Sequence, residues 1–417
     1  MQQFTPFEYL AIDIANQYGH DKLVYVDRIN WVIDNINQLE DLTDDVDMKE
    51  RPRYIKAVMV LRDAQAGKPS GHPVGFDAVC SGMQIMSALT GCESGMKATG
   101  LINTGKRPDA YTQVTQVMGR ILGYPVPNGR RGVKNAVMTR LYGSTMEPIK
   151  EFGEDTPELE AFHEALKEVA PGAVQLLSDL IQTWNPNTDA HEWLLPDGHL
   201  ARCPVMDTVQ HKLEIDELGH STMLWQGKRQ CTKPFSVSNA ANIIHSVDGY
   251  ILRCLERELN WSACIMESAI ATISSELVRR ALNNSSMPLT CKNQDLMTNA
   301  HHRYLVCKIP DLAVLQYLTE NNVQLLSHNH LEELIEMINW SVQGKPFPML
   351  TNHDEIKCHP NNMQRLREGY NRVMVRLHRS ELLTDIFQQM MGGKGRYSKY
   401  SNKDFTAAII EADYPIC

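Results

Sequence analysis

Two short apolar stretches, far apart in the chain, each run into an aspartate at a turn: "VGFDAVCSGMQ" around Asp77 and "PMLTNHDEIKCHP" around Asp354. A half-buried strand ordinarily ends on a neutral turn residue, so a carboxylate in this position twice over asks for a partner. Two carboxylates at strand ends can converge and hold a hard divalent cation, which takes oxygen ligands and keeps several waters. A pair of Mg2+ ions roughly 4 Å apart is a common device for activating an attacking oxygen and stabilising a leaving one. Taken singly, each aspartate reads more readily as a solvated turn residue.

The rest of the chain is patterned mainly for helices. "FEYLAIDIANQYG", "VDRINWVIDNINQL" and "PRYIKAVMVLRDA" place apolar residues at helical spacing, with an acidic loop "EDLTDDVDMKE" before the third. "TGKRPDAYTQVTQVMGRILG" continues the pattern, and Thr156-Pro157 makes a helix start for "TPELEAFHEALKEVAPGAVQLLSDLIQTW". From Glu192 the texture turns to strands, and the Pro-Asp-Gly of "EWLLPDGHLARCPV" signals a hairpin. Helix returns at "NAANIIHSVDGYILRCLEREL" and runs to about residue 282; 283–344 reads as an irregular stretch with short helices. "PFPMLTNHDEIKCHP" reads as strand, turn, strand, and "NMQRLREGYNRVMVRLHRSELLTDIFQQM" as one long helix. The expected class is α-rich α+β, in a chain of 417 residues that is long enough for more than one lobe.

"NGRRGVKNAVMTRLYGS" carries the second chemical signal. Arg130, Lys134, Met138 and Tyr142 are four apart and form one drifting stripe on a helix. Arg130, Arg131 and Lys134 crowd the helix start, where the macrodipole disfavours cations, and no acid stands from 128 to 146. A bound triphosphate resolves that conflict, since helix N–H groups, an arginine fork and an ammonium all suit it. A solvated basic face is the competing reading. "GGKGRYSKYSNK" interleaves Lys394, Arg396 and Lys399 with Tyr397 and Tyr400, a pattern that suits either a nucleic-acid backbone or a surface loop.

The net charge of −9 speaks against a large nucleic-acid surface, but local basic patches can coexist with acidic metal sites. Ten cysteines without a C-x-x-C pair indicate free thiols in a reducing compartment. The N-terminus lacks a basic lead and carries Glu8 and Asp13, so it is read as neither signal peptide nor anchor. A soluble, cytoplasmic protein with no membrane partner is expected.

Taken in order, "FDAVCSGMQ", "RRGVKNAVMTRLYGS" and "TNHDEI" resemble motifs A, B and C of the single-subunit phage and mitochondrial RNA polymerases, relatives of the family A DNA polymerases. "NIIHSVDG", "EWLLPDG", "FEYLAIDIANQYG" and "VDRINWVIDN" resemble further family segments in their expected places. The resemblance implies a right-hand polymerase palm and fingers, family A-like, lacking most of the thumb and the N-terminal domain. It implies that Asp77 and Asp354 are metal carboxylates for two Mg2+ ions, with the Ala78 backbone carbonyl as a further ligand. Arg130 and Lys134 would bind the phosphates of the NTP, Tyr142 would select ribose with Gly143 leaving room for the template base, and His245 would assist at the 2′-hydroxyl. A lone histidine on an apolar helix is otherwise an ordinary core residue. Met138 is grouped with the nucleic-acid contacts.

The implied domains are 1–105, palm with motif A; 106–244, fingers; 245–344, a helix returning to the palm plus an insertion without counterpart; and 345–417, palm with motif C and tail. Three departures stand out. Asn135 replaces the family's basic residue after the motif B lysine; the promoter-reading region is short, which puts DNA contact by 213–233 in doubt; and no T/D-x-x-G-R motif is present. The chain therefore resembles the large catalytic subunit of heterodimeric phage RNA polymerases, in which a small protein subunit supplies the N-terminal and thumb-like part. Met1 and the family-like tail "EADYPIC" lead us to expect a complete product. The expected partners are DNA template, RNA transcript, NTPs, the small subunit and accessory factors for promoter recognition, in the cytoplasm of an infected host cell. Competing readings are a family A DNA polymerase, a metal-dependent phosphohydrolase built on His353-Asp354, and an inactive interaction subunit.

Overall fold

The computed structural model describes residues 1–230, 232–282, 292–393 and 395–417. The chain opens with α1 (Pro6–Ala15), which starts on a capping box: the Thr5 hydroxyl accepts from the Glu8 N–H while the Glu8 carboxylate accepts from the Thr5 N–H. After one π turn come α2 (Tyr25–Asp34) and α3 (Arg51–Gln65), then strand β1 (Val74–Asp77) and helices α4 (Ser81–Thr90) and α5 (Glu93–Ala98). Next are α6 (Ala110–Leu122), α7 (Gly129–Arg140), α8 (Met146–Phe152), α9 (Pro157–Val169) and α10 (Pro171–Ile181). Two hairpins follow, β2 (Ala190–Leu194) with β3 (Leu200–Pro204), and β4 (Met206–Ile215) with β5 (Ser221–Gln230). The remainder is α11 (Ser238–Leu259), α12 (Ala263–Ala281), α13 (Gln294–Cys307), α14 (His328–Val342), β6 (Leu350–Asn352), β7 (Glu355–Cys358), α15 (Pro360–Arg379), α16 (Leu382–Met391) and α17 (Thr406–Ile410).

The helix-rich α+β expectation holds, as do the strand–turn–strand reading of "PFPMLTNHDEIKCHP" and the Pro-Asp-Gly hairpin. Three boundaries differ. Pro171 divides the single helix expected from Thr156 into α9 and α10, because a proline inside a helix removes a ladder donor. The long helix expected after residue 362 breaks at Ser380, whose hydroxyl donates to the Leu377 carbonyl and accepts from the Leu382 N–H, while the Glu381 N–H turns to the Cys307 carbonyl. The short helices expected in 283–344 are α13 and α14, 14 and 15 residues long.

The central sheet has the order β1-β7-β6, all antiparallel, and pairs Val74 with Cys358 through to Asp77 with Glu355. It rests on α1, α4 and α15, whose buried faces join a large core that includes Tyr9, Phe76, Met83, Ile356, Met363 and Tyr370. A second, smaller core gathers Met266, Ile273, Met297, Leu315, Leu331, Leu334 and Ile338, so the helices of this stretch form a unit with a core of their own. Ion pairs join that unit to the larger core: Arg257 reaches Asp311 at 2.9 Å, and Arg303 on α13 grips Asp385 on α16, with one bond at 3.1 Å. Arg303 and Asp385 are both buried.

Removing one partner of a buried pair leaves the other charge uncompensated, so Asp385→Ala should cost about 3–5 kcal/mol of stability. Urea unfolding monitored by circular dichroism checks this, and a loss below about 1 kcal/mol would show that the pair is dispensable.

Candidate active site

The site is built by sheet register. Because β1 and β7 are antiparallel and Asp77 faces Glu355, the turn before β7 lies beside the end of β1. That turn is two residues long, and its first member, His353, has φ 56°, a conformation that costs a non-glycine residue about 1–2 kcal/mol. Asp354 is the second member, and its carbonyl accepts the Ala78 N–H at 3.3 Å. The two aspartates flagged in the sequence are thus adjacent.

The C-terminal tail closes the other side of β1. The Cys417 N–H donates to the Asp77 carbonyl at 2.9 Å, the Val79 N–H to the Pro415 carbonyl at 3.2 Å, and Ala78 bridges to Ile416. The buried Tyr25 hydroxyl donates to the Ile416 carbonyl at 2.9 Å, and Gln84 donates to the Pro415 carbonyl at 2.9 Å. Tyr370 in turn donates to Gln84 at 2.6 Å. The last residues of the chain therefore pack beside the strand end that carries Asp77.

A cleft of about 290 Å3 joins these elements to α6 and α7. Asp77, Ala78, Arg130, Lys134, Met138, Tyr142 and Asp354 all line it, so the stripe on α7 and the strand-end aspartates face one space. Asn135 lies outside it and donates to Glu151 at 2.8 Å, tying α7 to α8. Tyr142 stacks on His245 with ring centres 4.5 Å apart, and its hydroxyl bonds Ser81. A Cβ at Gly82 would stand 3.1 Å from the Tyr142 hydroxyl, a tight contact that the ring would have to yield by a few tenths of an ångström. Gly143 has φ 96°, and a Cβ would lie 2.6 Å from the Val237 side chain.

One expectation changes at α7. The helix start reads as uncompensated within 128–146, but Asp109, the N-cap of α6, reaches across. Its carboxylate accepts from Arg130 Nε at 2.7 Å and Nη2 at 3.1 Å, and from Thr112. Burial opposes its ionisation, yet these hydrogen bonds outweigh it and hold Asp109 below the usual carboxylate range. Lys134, exposed on the same face, is the cation offered more freely.

Asp77 keeps an open face to solvent, but the cleft walls desolvate its carboxyl and Asp354 adds a like charge, pushing it up to about 6. Asp248, one helical turn beyond His245 on α11, is also pushed up to about 6, by burial first and then by Asp354. Burial and the neighbouring His353 lower His245. Sequence reasoning passed over Asp248 inside its own quoted "NIIHSVDG", where the three-residue spacing from His245 was the available signal. It also missed Lys22, Asp109 and Tyr111, which line the cleft from loops and from α6 and carry no local motif.

Among the described residues no group of three or more His, Cys, Asp or Glu side chains is gathered for a metal, so Asp77 and Asp354 stand as a pair. The surface segment 395–404 lies elsewhere: Arg396 pairs with Glu381, and Lys399 donates to the His378 carbonyl at 2.9 Å. Lys394 lies outside the described residues. No helix among the described residues is long and apolar enough to cross a membrane.

Two carboxylates that repel one another, set opposite a lysine and an arginine on a helix, form the kind of site that handles phosphate esters with divalent cations. Residues 4–228, more than half of the chain, match the family described as DNA-dependent RNA polymerase, and the chain belongs to that family. It is similar to "DNA-directed RNA polymerase 1, mitochondrial" of Arabidopsis thaliana, 27% identical over 302 residues, covering 58% of this chain and 30% of that protein. The DNA-directed RNA polymerase of Pseudomonas phage phiKMV is 25% identical over 299 residues, covering 58% and 36%. A probable DNA-directed RNA polymerase of Gelasinospora sp. (strain G114) is 21% identical over 417 residues, covering 91% and 43%. The matched part of the chain therefore spans less than half the length of each of these relatives.

A carboxyl group that holds its proton to higher pH when folded destabilises the fold as pH rises from about 4 through about 6. Asp77→Asn and Asp248→Asn should therefore melt above the parent at about pH 8 in metal-free buffer and coincide with it near pH 4. Thermal melts in EDTA test this; an offset independent of pH would contradict the crowding of the two acids with Asp354.

Proposed function

We propose that this chain is the catalytic subunit of a DNA-directed RNA polymerase, adding nucleotides from NTPs to an RNA 3′-hydroxyl on a DNA template. The observation that carries the reading is the convergence of Asp77 and Asp354 on one cleft with Lys134 and Tyr142. The residues fit divalent cations: two adjacent carboxylates, one raised by burial and then by the other's charge, lose that repulsion when a cation lies between them. Asp77 and Asp354 would hold two Mg2+ ions, with the Ala78 carbonyl as a further oxygen ligand. When bound, the ions would favour the ionised hydroxyl and neutralise charge on the phosphates.

The chain's own groups do the rest. Lys134 draws the triphosphate to α7, and Arg130, steadied by Asp109, presents its remaining guanidinium edge. Tyr142, held between Gly82, Ser81 and His245, stands where a sugar lying over the aspartates would meet it, and so selects ribose. His245 is kept neutral, which lets it share a hydrogen bond with a hydroxyl. In domain terms, 1–105 and 345–417 form the palm, 106–244 the fingers, and 245–344 the returning helix with the added unit. A smaller protein subunit supplies the thumb-like part, accessory factors assist promoter recognition, and the assembly works in the cytoplasm of an infected host cell.

Primer–template extension with Mg2+ tests this. Asp77→Asn and Asp354→Asn should each lower nucleotide addition by roughly 10³-fold, about 4 kcal/mol of barrier; retained activity removes the metal assignment. Tyr142→Phe should raise deoxynucleotide incorporation relative to ribonucleotide, and an unchanged ratio contradicts its role and reopens the DNA polymerase reading. The isolated chain should extend RNA weakly and gain activity with its co-purified small subunit; robust elongation alone overturns the two-subunit part.

A further inference from the structure

Four hydrogen bonds saturate the Asp109 carboxylate: two from Arg130, one from the Thr112 N–H and one from the Thr112 hydroxyl. An ionised carboxyl group offers about four lone-pair sites, so none is left for a second cation. Yet a second cation stands two residues away. Arg107 lines the cleft, and no acid pairs with it among the described residues. Its Nη1 donates to the Pro108 carbonyl at 2.9 Å, and its Nε is buried without a hydrogen-bond partner. A guanidinium left so poorly matched costs stability unless a ligand completes its bonding.

The backbone holds this residue in place. Pro108 is buried, and a residue that precedes proline is confined to extended backbone, so Arg107 reaches the cleft on a stiff link. The other cations of the cleft are engaged or already assigned. Lys22 pairs with Asp21 at 2.5 Å, Arg130 pairs with Asp109 at 2.7 Å, and Lys134 is the free ammonium of α7.

Position says which part of a ligand Arg107 meets. Arg130 and Lys134 both lie over the Tyr111 ring, 5.5 and 5.9 Å from its centre, so the starts of α6 and α7 meet at one end of the cleft. Arg107 comes just before Asp109, the cap of α6, and joins that end. Beyond Lys134, α7 lines the cleft with uncharged residues, and Asn135 is turned outward to Glu151. The outer phosphates of a triphosphate reach past the aspartates and need cations of their own, which α7 supplies only in part.

We propose that Arg107 grips the terminal phosphate of the incoming NTP and so makes the cleft select triphosphates over nucleotides with fewer phosphates. A planar guanidinium suits two phosphate oxygens at once, which an ammonium does not. The inference rests on the nucleotide-addition reading, and its test tells the two apart.

The full chain with its co-purified companion is assayed by primer–template extension with Mg2+, as parent, Arg107→Gln, Arg107→Lys and Arg120→Gln. Arg120 lies near the other end of α6, paired with Glu168, and controls for the loss of one positive charge. Displacement of a fluorescent NTP by tripolyphosphate and by a nucleoside monophosphate is measured in parallel, with melting curves confirming the fold. Arg107→Gln should raise KM for NTP by roughly 30-fold with kcat within about threefold, the pattern of a lost binding contact. Arg107→Lys should recover part of the loss, and Arg120→Gln should stay within about twofold of the parent. Tripolyphosphate should displace the probe from Arg107→Gln roughly 30-fold less well, while the monophosphate acts on parent and variant alike. Equal weakening of both competitors marks a structural role and overturns the proposal, as does an equal loss in Arg120→Gln. A parent that extends primers beside an unchanged Arg107→Gln overturns the phosphate contact alone. A parent that extends nothing, yet loses tripolyphosphate affinity in Arg107→Gln, upholds the contact and overturns the nucleotide-addition reading.

Discussion

The antiparallel pairing of β1 with β7 is the constraint on which the rest of the structure depends. Four residue pairs, Val74 with Cys358 through Asp77 with Glu355, join distant parts of the chain and set two carboxylates side by side. Because side-chain direction alternates along a strand, a slip of one residue would turn Asp77 towards the helices and bring Phe76 to the surface. Phe76 and Ile356, both buried, hold the register by packing on opposite strands. The apolar side of the sheet thus determines where its charged end lies.

A network of buried polar groups then closes the sheet on its open side. Arg367, almost wholly buried, donates to the Tyr9 hydroxyl and to the carbonyls of Gln2 and Asp413. Asn371 donates to the carbonyls of Ile409 and Ala412, while Tyr25 and Gln84 hold the last residues against β1. These groups satisfy backbone carbonyls that burial would otherwise leave unpaired, at a cost of about 1–3 kcal/mol each. The termini, the first helix and α15 are therefore one structural unit beneath the aspartates.

Electrostatics in the cleft is arranged unevenly. The acids are crowded, with Asp77 and Asp248 both raised by burial and by Asp354. The cations are split: Arg130 is fastened to Asp109, while Lys134 remains exposed on the same face. A fastened arginine and an exposed lysine suit different ends of an anionic ligand, the first fixing direction and the second adding attraction.

Much of this was legible in the linear order of residues. Helical periodicity marked most helices, and the motif stretches around Asp77, Arg130 to Tyr142 and Asp354 named part of the residues that line the cleft. Turn and cap chemistry placed Thr156 and the Pro-Asp-Gly hairpin, because local hydrogen bonding determines those features. Asp109 against Arg130, Asp248 near Asp354, Lys22 in the cleft and the tail against β1 were not legible, because each joins segments far apart in the chain. The sequence by itself determined which residues are titratable and which stretches run mainly as helix or as strand. Only the tertiary structure decided which charges meet, since burial, register and like-charge repulsion arise only when distant elements pack together.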